Sequence, residues 1–456
     1  FGSSAAARPE GARHSSPSSV EIPPNLPRMS PLGSCLLLIP ALWLCSEATS
    51  SNILLRQSRG HGGRLGLDAE ESPSIDGQST MKRLFPWYHT TSELSAHARH
   101  MAQHCGGALE VRSVSEDGVH IDVATVKAKG SNPTNKVFIL FGEHSRELIS
   151  PESGLYLLRV LCGLATSDSS KSAEETLKDN EFQLVLNGNP RSRRDVEQGA
   201  FCTRTNPAGV DLNRNWDDMW EDGNVGLSQN PGPYPFSEPE TRIFRRLVTE
   251  YRPTTFLTVH SGTRGLYMPW AYDRTHLATR NQAAMMRVLR NVDQDHCQCP
   301  FGAAGKEVGY SCPGTCLDWA YDKLKTPYSF AFEIYTSPDM DESLQSRWKE
   351  KLDAGGASLL EEGNHLAHEH FLDLFHQHGS DFVQARHSLG AGNVEQDPFI
   401  SCFSQFNPDT AERFNTTLRN WAGAYLEMSN LIAADMREQG AALTQGNATA
   451  APARGL

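Results

Sequence analysis

The stretch Phe141-Gly142-Glu143-His144-Ser145-Arg146-Glu147-Leu148 sets a histidine and a glutamate three residues apart. A neutral imidazole nitrogen and a carboxylate oxygen both suit a borderline-soft dication such as zinc. His-x-x-Glu alone is a weak signal, and with Leu at position 148 it does not complete the inverted zincin His-x-x-Glu-His. A catalytic zinc site takes three protein ligands and keeps one position open. His260, which closes the β-rich run Thr255-Phe-Leu-Thr-Val259, completes a His2Glu set with His144 and Glu147. A base must lie nearby, and Glu333 is the candidate. It ends the run Tyr328-Ser-Phe-Ala-Phe332, where a buried carboxylate is costly unless it is paired or functional. Both readings stand there. A second histidine-rich segment, His368-Glu369-His370-Phe371-Leu372, has Leu where a zincin needs its second His, and reads as a solvated helical face.

These residues need elements that hold them. Val119–Val126 alternates as a half-solvated strand, and Val137–Phe141 reads as a buried one. Further strands are expected over 181–187, 255–259 and 328–335. Helices are expected from Thr91 to His104, from a Ser150 cap to Leu164, from a Ser237/Glu240 capping box to Tyr251, and over 279–295. The stretch 188–235 reads as a long polar loop. Strands separated by helices predict an α/β fold with a mixed, largely parallel twisted sheet and helices on both faces. Functional residues of such sheets gather at strand ends, where His144 and His260 fall. A last helix is expected from about Asp409 to Met436, with Phe414, Leu418, Trp421, Tyr425 and Met428 on one face.

Four segments occur in the order found in zinc metallocarboxypeptidases of the carboxypeptidase A/B family. They are His144-Ser-Arg-Glu147, Gly209-Val-Asp-Leu-Asn213-Arg214-Asn-Trp216, Val259-His260-Ser261 and Tyr328-Ser-Phe-Ala-Phe-Glu333. The chain resembles that family over roughly residues 86–338 and in the final helix, and Gly232–Thr241 is similar to the segment before the third ligand. The resemblance implies the zinc carboxypeptidase fold and one Zn2+ per chain on His144, Glu147 and His260. It implies Glu333 as the base that takes a proton from the attacking water and returns it to the leaving amine. Arg204 would stabilise the oxyanion, while Asn213 and Arg214 would grip the substrate's C-terminal carboxylate. Tyr310 would close over substrate and Arg146 would line the cleft. Leu317 falls at the pocket selector, and with Ala271 and Ala331 it implies apolar or aromatic C-terminal residues.

The whole chain sets further bounds. Its 456 residues carry a formal net charge of −12, a field that repels nucleic acid. No run of about 20 apolar residues is present to span a bilayer. Residues 1–51 read as a leader whose apolar core, Cys35–Cys45, has the length of a signal peptide over 29–50. Secretion follows from that reading; an organelle transit peptide is the alternative. Residues 52–85 read as a linker or short pro-segment, too short for the family's usual inhibitory pro-domain. The domain is then expected over 86–436, followed by a disordered tail at 437–456. A polar, His-rich insertion at 339–397 would cover or extend the cleft. Eight cysteines remain after the leader. Cys297, Cys299, Cys312 and Cys316 suggest either a four-thiolate zinc site or disulfides bracing a loop, and their spacing and the leader favour disulfides. The expected partners are peptide or protein C-termini, met by a monomer. Two rival functions remain: a zinc amidohydrolase of small acyl-amino acids, and a catalytically inactive binding module on the same fold.

Overall fold

A computed structural model of the chain describes residues 79–106, 108–222, 229–353 and 398–449. The strands are β1 (Leu109–Glu116), β2 (Val119–Val126), β3 (Asn135–Phe141), β4 (Asn180–Val185), β5 (Thr255–His260), β6 (Arg264–Met268), β7 (Phe301–Ala303) and β8 (Tyr328–Ile334). Among the described residues they form one sheet in the order β1-β2-β4-β3-β5-β8-β6-β7. β4, β3, β5 and β8 run parallel, and antiparallel neighbours flank them on both sides. The mixed, largely parallel sheet read from the sequence is the one observed.

The central strands are apolar on both faces because both faces are covered. In β3, Val137, Ile139 and Phe141 enter one core with α2 (Thr91–His104), α3 (Ile149–Leu161) and α7 (Gln282–Val292). The same core takes Trp421 and Tyr425 of the C-terminal helix (Ala411–Thr449). Phe138 and Leu140 enter the opposite core with α6 (Pro239–Tyr251) and α9 (Cys316–Asp322). Burying each such large side chain contributes about 1.5–3 kcal/mol.

Several local expectations need correction. The fold begins before Pro86, because Ser79 caps α1 (Thr80–Leu84), Met81 is fully buried and Phe85 stacks on Phe403. Helix α3 has no side-chain cap; Ser150 instead donates to Val259 O and accepts from Gly142 N, pinning β3 to β5. Ser237 does not cap α6, whose first turn opens at Glu238 with Pro239; its hydroxyl donates to the Glu238 carboxylate. The expected polar loop 188–235 contains α5 (Pro190–Glu197), and the last helix runs on through the expected tail to Thr449. The start of the expected insertion is α10 (Pro338–Asp353); the remainder, with His365 to His387, lies outside the described residues, as does the leader.

Three disulfides are present among the described residues. Cys105–Cys162 joins the ends of α2 and α3, and Cys202–Cys402 ties the loop before Arg204 to the helix Pro398–Phe406. Of the four clustered cysteines only Cys297 and Cys299 are bonded. Cys312 and Cys316 are buried thiols in two different apolar clusters, which keeps them apart.

The chain ahead of α2 is fastened by a charged pair. His89 Nδ1 lies 2.7 Å from Glu152 Oε2, and its backbone N–H donates to Oε1. Burial lowers the His89 pKa, but the Glu152 charge and the hydrogen bond to it together outweigh burial, and the net shift is upward. A raised histidine pKa stabilises the fold fully below about 6.5, and that contribution is lost as pH rises through the higher folded value. His89→Gln is therefore expected to flatten the fall of Tm with pH above 6.5; parallel Tm profiles for the two proteins would show that the pair contributes nothing.

Candidate metal centre and substrate cleft

β3, β5 and β8 end side by side, with Phe141 opposite Val259 and His260 opposite Glu333. The chain leaves β3 toward β4 on one side and β5 lies on the other, which makes the crevice at their carboxyl ends a topological switch point. Gly142 makes the turn out of β3 at φ +70°, where a Cβ would lie 2.7 Å from Pro151. That turn delivers His144 and Glu147 opposite the end of β5.

His144 Nδ1 lies 2.8 Å from Glu147 Oε1 and 3.1 Å from His260 Nδ1. His260 Nδ1 is also 3.1 Å from Glu147 Oε2. The far ring nitrogens are engaged: His144 Nε2 with Asp211 Oδ1 at 3.1 Å, and His260 Nε2 with Thr258 Oγ1 at 2.8 Å. With a proton on each far nitrogen, two imidazole lone pairs and a carboxylate face one another in a buried space. Such a set suits a cation. Tetrahedral zinc with nitrogen ligands at 2.0–2.1 Å spaces those ligands about 3.3 Å apart, close to the separations found here. The donor set fits zinc.

The electrostatics follow from the crowding. Burial alone would raise Glu147, but His144 and His260 hold it far below the usual carboxylate range. Burial would lower His260, but Glu147, Glu333 and Glu143 push it up to about 9. Asp211, between Arg204 and His144, stays well below the ordinary range in spite of its burial. Burial pushes the Glu333 carboxyl up; His260 and the arginines pull against that, and Glu147 adds to it.

All ten sequence-predicted site residues line one cleft. Arg204 Nε donates to Asp211 Oδ2 at 2.8 Å, and its Nη1 lies 3.6 Å from Glu147. Asn213 accepts from Cys316 N through Oδ1, and Arg214 donates to Asn213 O. Among the described residues the buried Arg214 Nε has no hydrogen-bond partner. Gly314, at φ +69°, brings the loop after Tyr310 against the Arg214 backbone, where a Cβ would lie 2.3 Å from Arg214 O. Leu317 belongs to an apolar cluster with Tyr267, Ala271 and Ala304, against which Tyr310 and Ala331 pack. The Arg146 guanidinium lies over the Phe406 ring, 3.9 Å from its centre.

Some residues of the site had no role in the sequence reading. Asp211 falls within Gly209–Trp216, and its signal is a carboxylate that can back a candidate ligand histidine. Asn407 gives no sequence signal: it accepts from Ile149 N and donates to Arg146 O, bracing the metal loop from the far end of the chain. Met340 and Leu344 of α10 also line the cleft.

The family model described as zinc carboxypeptidase matches residues 94–354, more than half of the chain. The chain belongs to the zinc carboxypeptidase family. This member is 26% identical over 274 residues to mouse carboxypeptidase A2, a match covering 55% of this chain and 63% of that protein. With carboxypeptidase B of Astacus astacus it shares 25% identity over 282 residues, 54% of this chain and 86% of the other. It thus spans under two thirds of the length of mouse carboxypeptidases A2 and A6. Bovine thrombin-activatable fibrinolysis inhibitor, solved with tick carboxypeptidase inhibitor, has the same fold at 18% identity and a TM-score of 0.53, covering 76% of this chain and 98% of that one.

Proposed function

We propose that the chain is a zinc-dependent exopeptidase that hydrolyses the C-terminal peptide bond of peptides and proteins and releases apolar or aromatic residues. The observation that carries this reading is the meeting of the His144–Glu147–His260 set, Glu333 and Arg214 in one cleft. His144, Glu147 and His260 would hold one zinc per chain, which would supply Lewis acidity to the scissile carbonyl and make water a better nucleophile. Glu333 takes the proton from the attacking water on its carboxylate and later gives it to the leaving amine as the C–N bond breaks. Arg204 faces the oxyanion. Asn213 and Arg214 hold the substrate's carboxylate, a match for the planar guanidinium fork. Tyr310 closes over the bound end, and Arg146 lines the cleft beyond it. Leu317, Ala271 and Ala331 receive the released side chain without presenting a charge.

The protein is read as secreted and monomeric; its disulfides support the oxidising compartment. Among the described residues no helix is long and apolar enough to cross a membrane. The test uses purified protein with zinc and peptides ending in Phe, Leu, Lys or Glu, with and without chelator. Release of Phe and Leu, abolished by chelator and restored by zinc, is the expected result. Endoproteolysis, or no release from any peptide while Glu333→Gln behaves identically, would overturn it. Turnover of small acyl-amino acids alone would assign an amidohydrolase.

A further inference from the structure

Glu143 is a second buried carboxylate at the metal loop, and nothing in the proposed chemistry uses it. It is fully buried, a position that is costly for a charge without compensation. Its Oε1 accepts from Trp216 Nε1 at 3.1 Å. Its Oε2 accepts from Thr258 Oγ1 at 3.4 Å and from the Cys316 thiol at 3.5 Å. The same Oε2 lies 3.6 Å from His260 Nε2. Beyond these three donors, that oxygen faces the His260 ring nitrogen, which it reaches through the Thr258 hydroxyl.

The geometry repeats what Asp211 does for the other histidine. Asp211 stands behind His144 Nε2 and leaves His144 Nδ1 facing Glu147. Glu143 stands behind His260 Nε2, with Thr258 Oγ1 between them at 2.8 Å from the ring, and His260 Nδ1 faces Glu147. Glu143 and His144 are consecutive, so one turn after β3 supplies a ligand to the cleft and a carboxylate beneath the neighbouring ligand. Trp216 fixes one carboxylate oxygen, and the other is left for the histidine side.

Resting on the zinc reading above, we infer that Glu143 is a positioning residue for His260. It holds the imidazole with its Nε2 protonated and its Nδ1 presented to the metal, and it adds negative charge that strengthens the ligand. Losing such an outer partner typically costs 10–100-fold in metal affinity. The informative variant is Glu143→Gln, which keeps an oxygen for Trp216 and removes the charge. Zinc dissociation constants are measured by chelator competition, alongside melting curves of the metal-free proteins and the KM and kcat for a peptide ending in Phe.

Glu143→Gln is expected to weaken zinc binding about 10–100-fold. The metal-free melting temperature and the KM should stay near wild type. Thr258→Val, which removes the hydroxyl between Glu143 and the ring, should shift zinc affinity the same way and carries the test if Glu143→Gln fails to fold. Unchanged zinc affinity in a folded variant overturns the inference and leaves the zinc reading intact. A wild-type protein that takes up no zinc overturns both.

Discussion

Glu333→Gln is expected to lower kcat by about 10^2–10^4-fold, the usual worth of a positioned general base. Zinc content and KM should change little, because the amide keeps the shape of the side chain and neither ligates the metal set nor grips the substrate's end. The structural ground is specific. Glu333 is the register partner of His260 across β5 and β8, so one hydrogen-bonded ladder fixes the base relative to a ligand. Among the described residues its buried Oε2 has no hydrogen-bond partner, and burial raises its proton affinity, as suits a group that must accept a proton and release it. Steady-state kinetics with metal analysis on the same preparation checks this. A kcat at the wild-type level with equal zinc content would assign the proton transfer to another group.

The second large effect is expected at the other end of the substrate. Arg214→Ala should cost about 2–5 kcal/mol of substrate interaction, the range for removing one partner of a buried charge pair. On that scale kcat/KM for a free-acid peptide falls by about 30- to 5,000-fold. Arg214 is 7% exposed, and the Asp211 carboxylate helps offset the cost of burying its charge. The same peptide with an amidated C-terminus separates recognition from general damage. Wild type should discriminate strongly between acid and amide, Arg214→Ala hardly at all, and Arg214→Lys should fall between, keeping the charge but not the fork. If Arg214→Ala keeps full discrimination, the carboxylate is held elsewhere.

The central strands were legible because their apolar runs are short, β-rich and bounded by turn residues, as in Val137–Phe141. The site was legible because zinc chemistry narrows the choice to a few side-chain types, and His144, Glu147 and His260 are of those types and fall at strand ends. What escaped detection obeys weaker constraints. β7 has three residues and β6 five, too few for a period to declare itself. Ser150 looked like a cap because it precedes Pro151, yet tertiary contacts to Val259 and Gly142 took its hydroxyl. Glu143 carries no signal of its own in the stretch Phe141–Leu148. Its role depends on Trp216, Thr258 and Cys316, brought beneath the turn by three separate segments, and no local spacing encodes that meeting.

The disulfide between Cys202 and Cys402 also sets how the chain tolerates being broken. One cysteine lies before α10 and the other after residue 397, so any cut between Asp353 and Pro398 falls inside the covalent loop. The result is a two-chain molecule, not two separated pieces. Its smaller chain still brings Asn407 to the metal loop and Trp421 and Tyr425 to the core. The oxidised bridge keeps the two halves covalently joined; in a reducing environment only packing would hold them together.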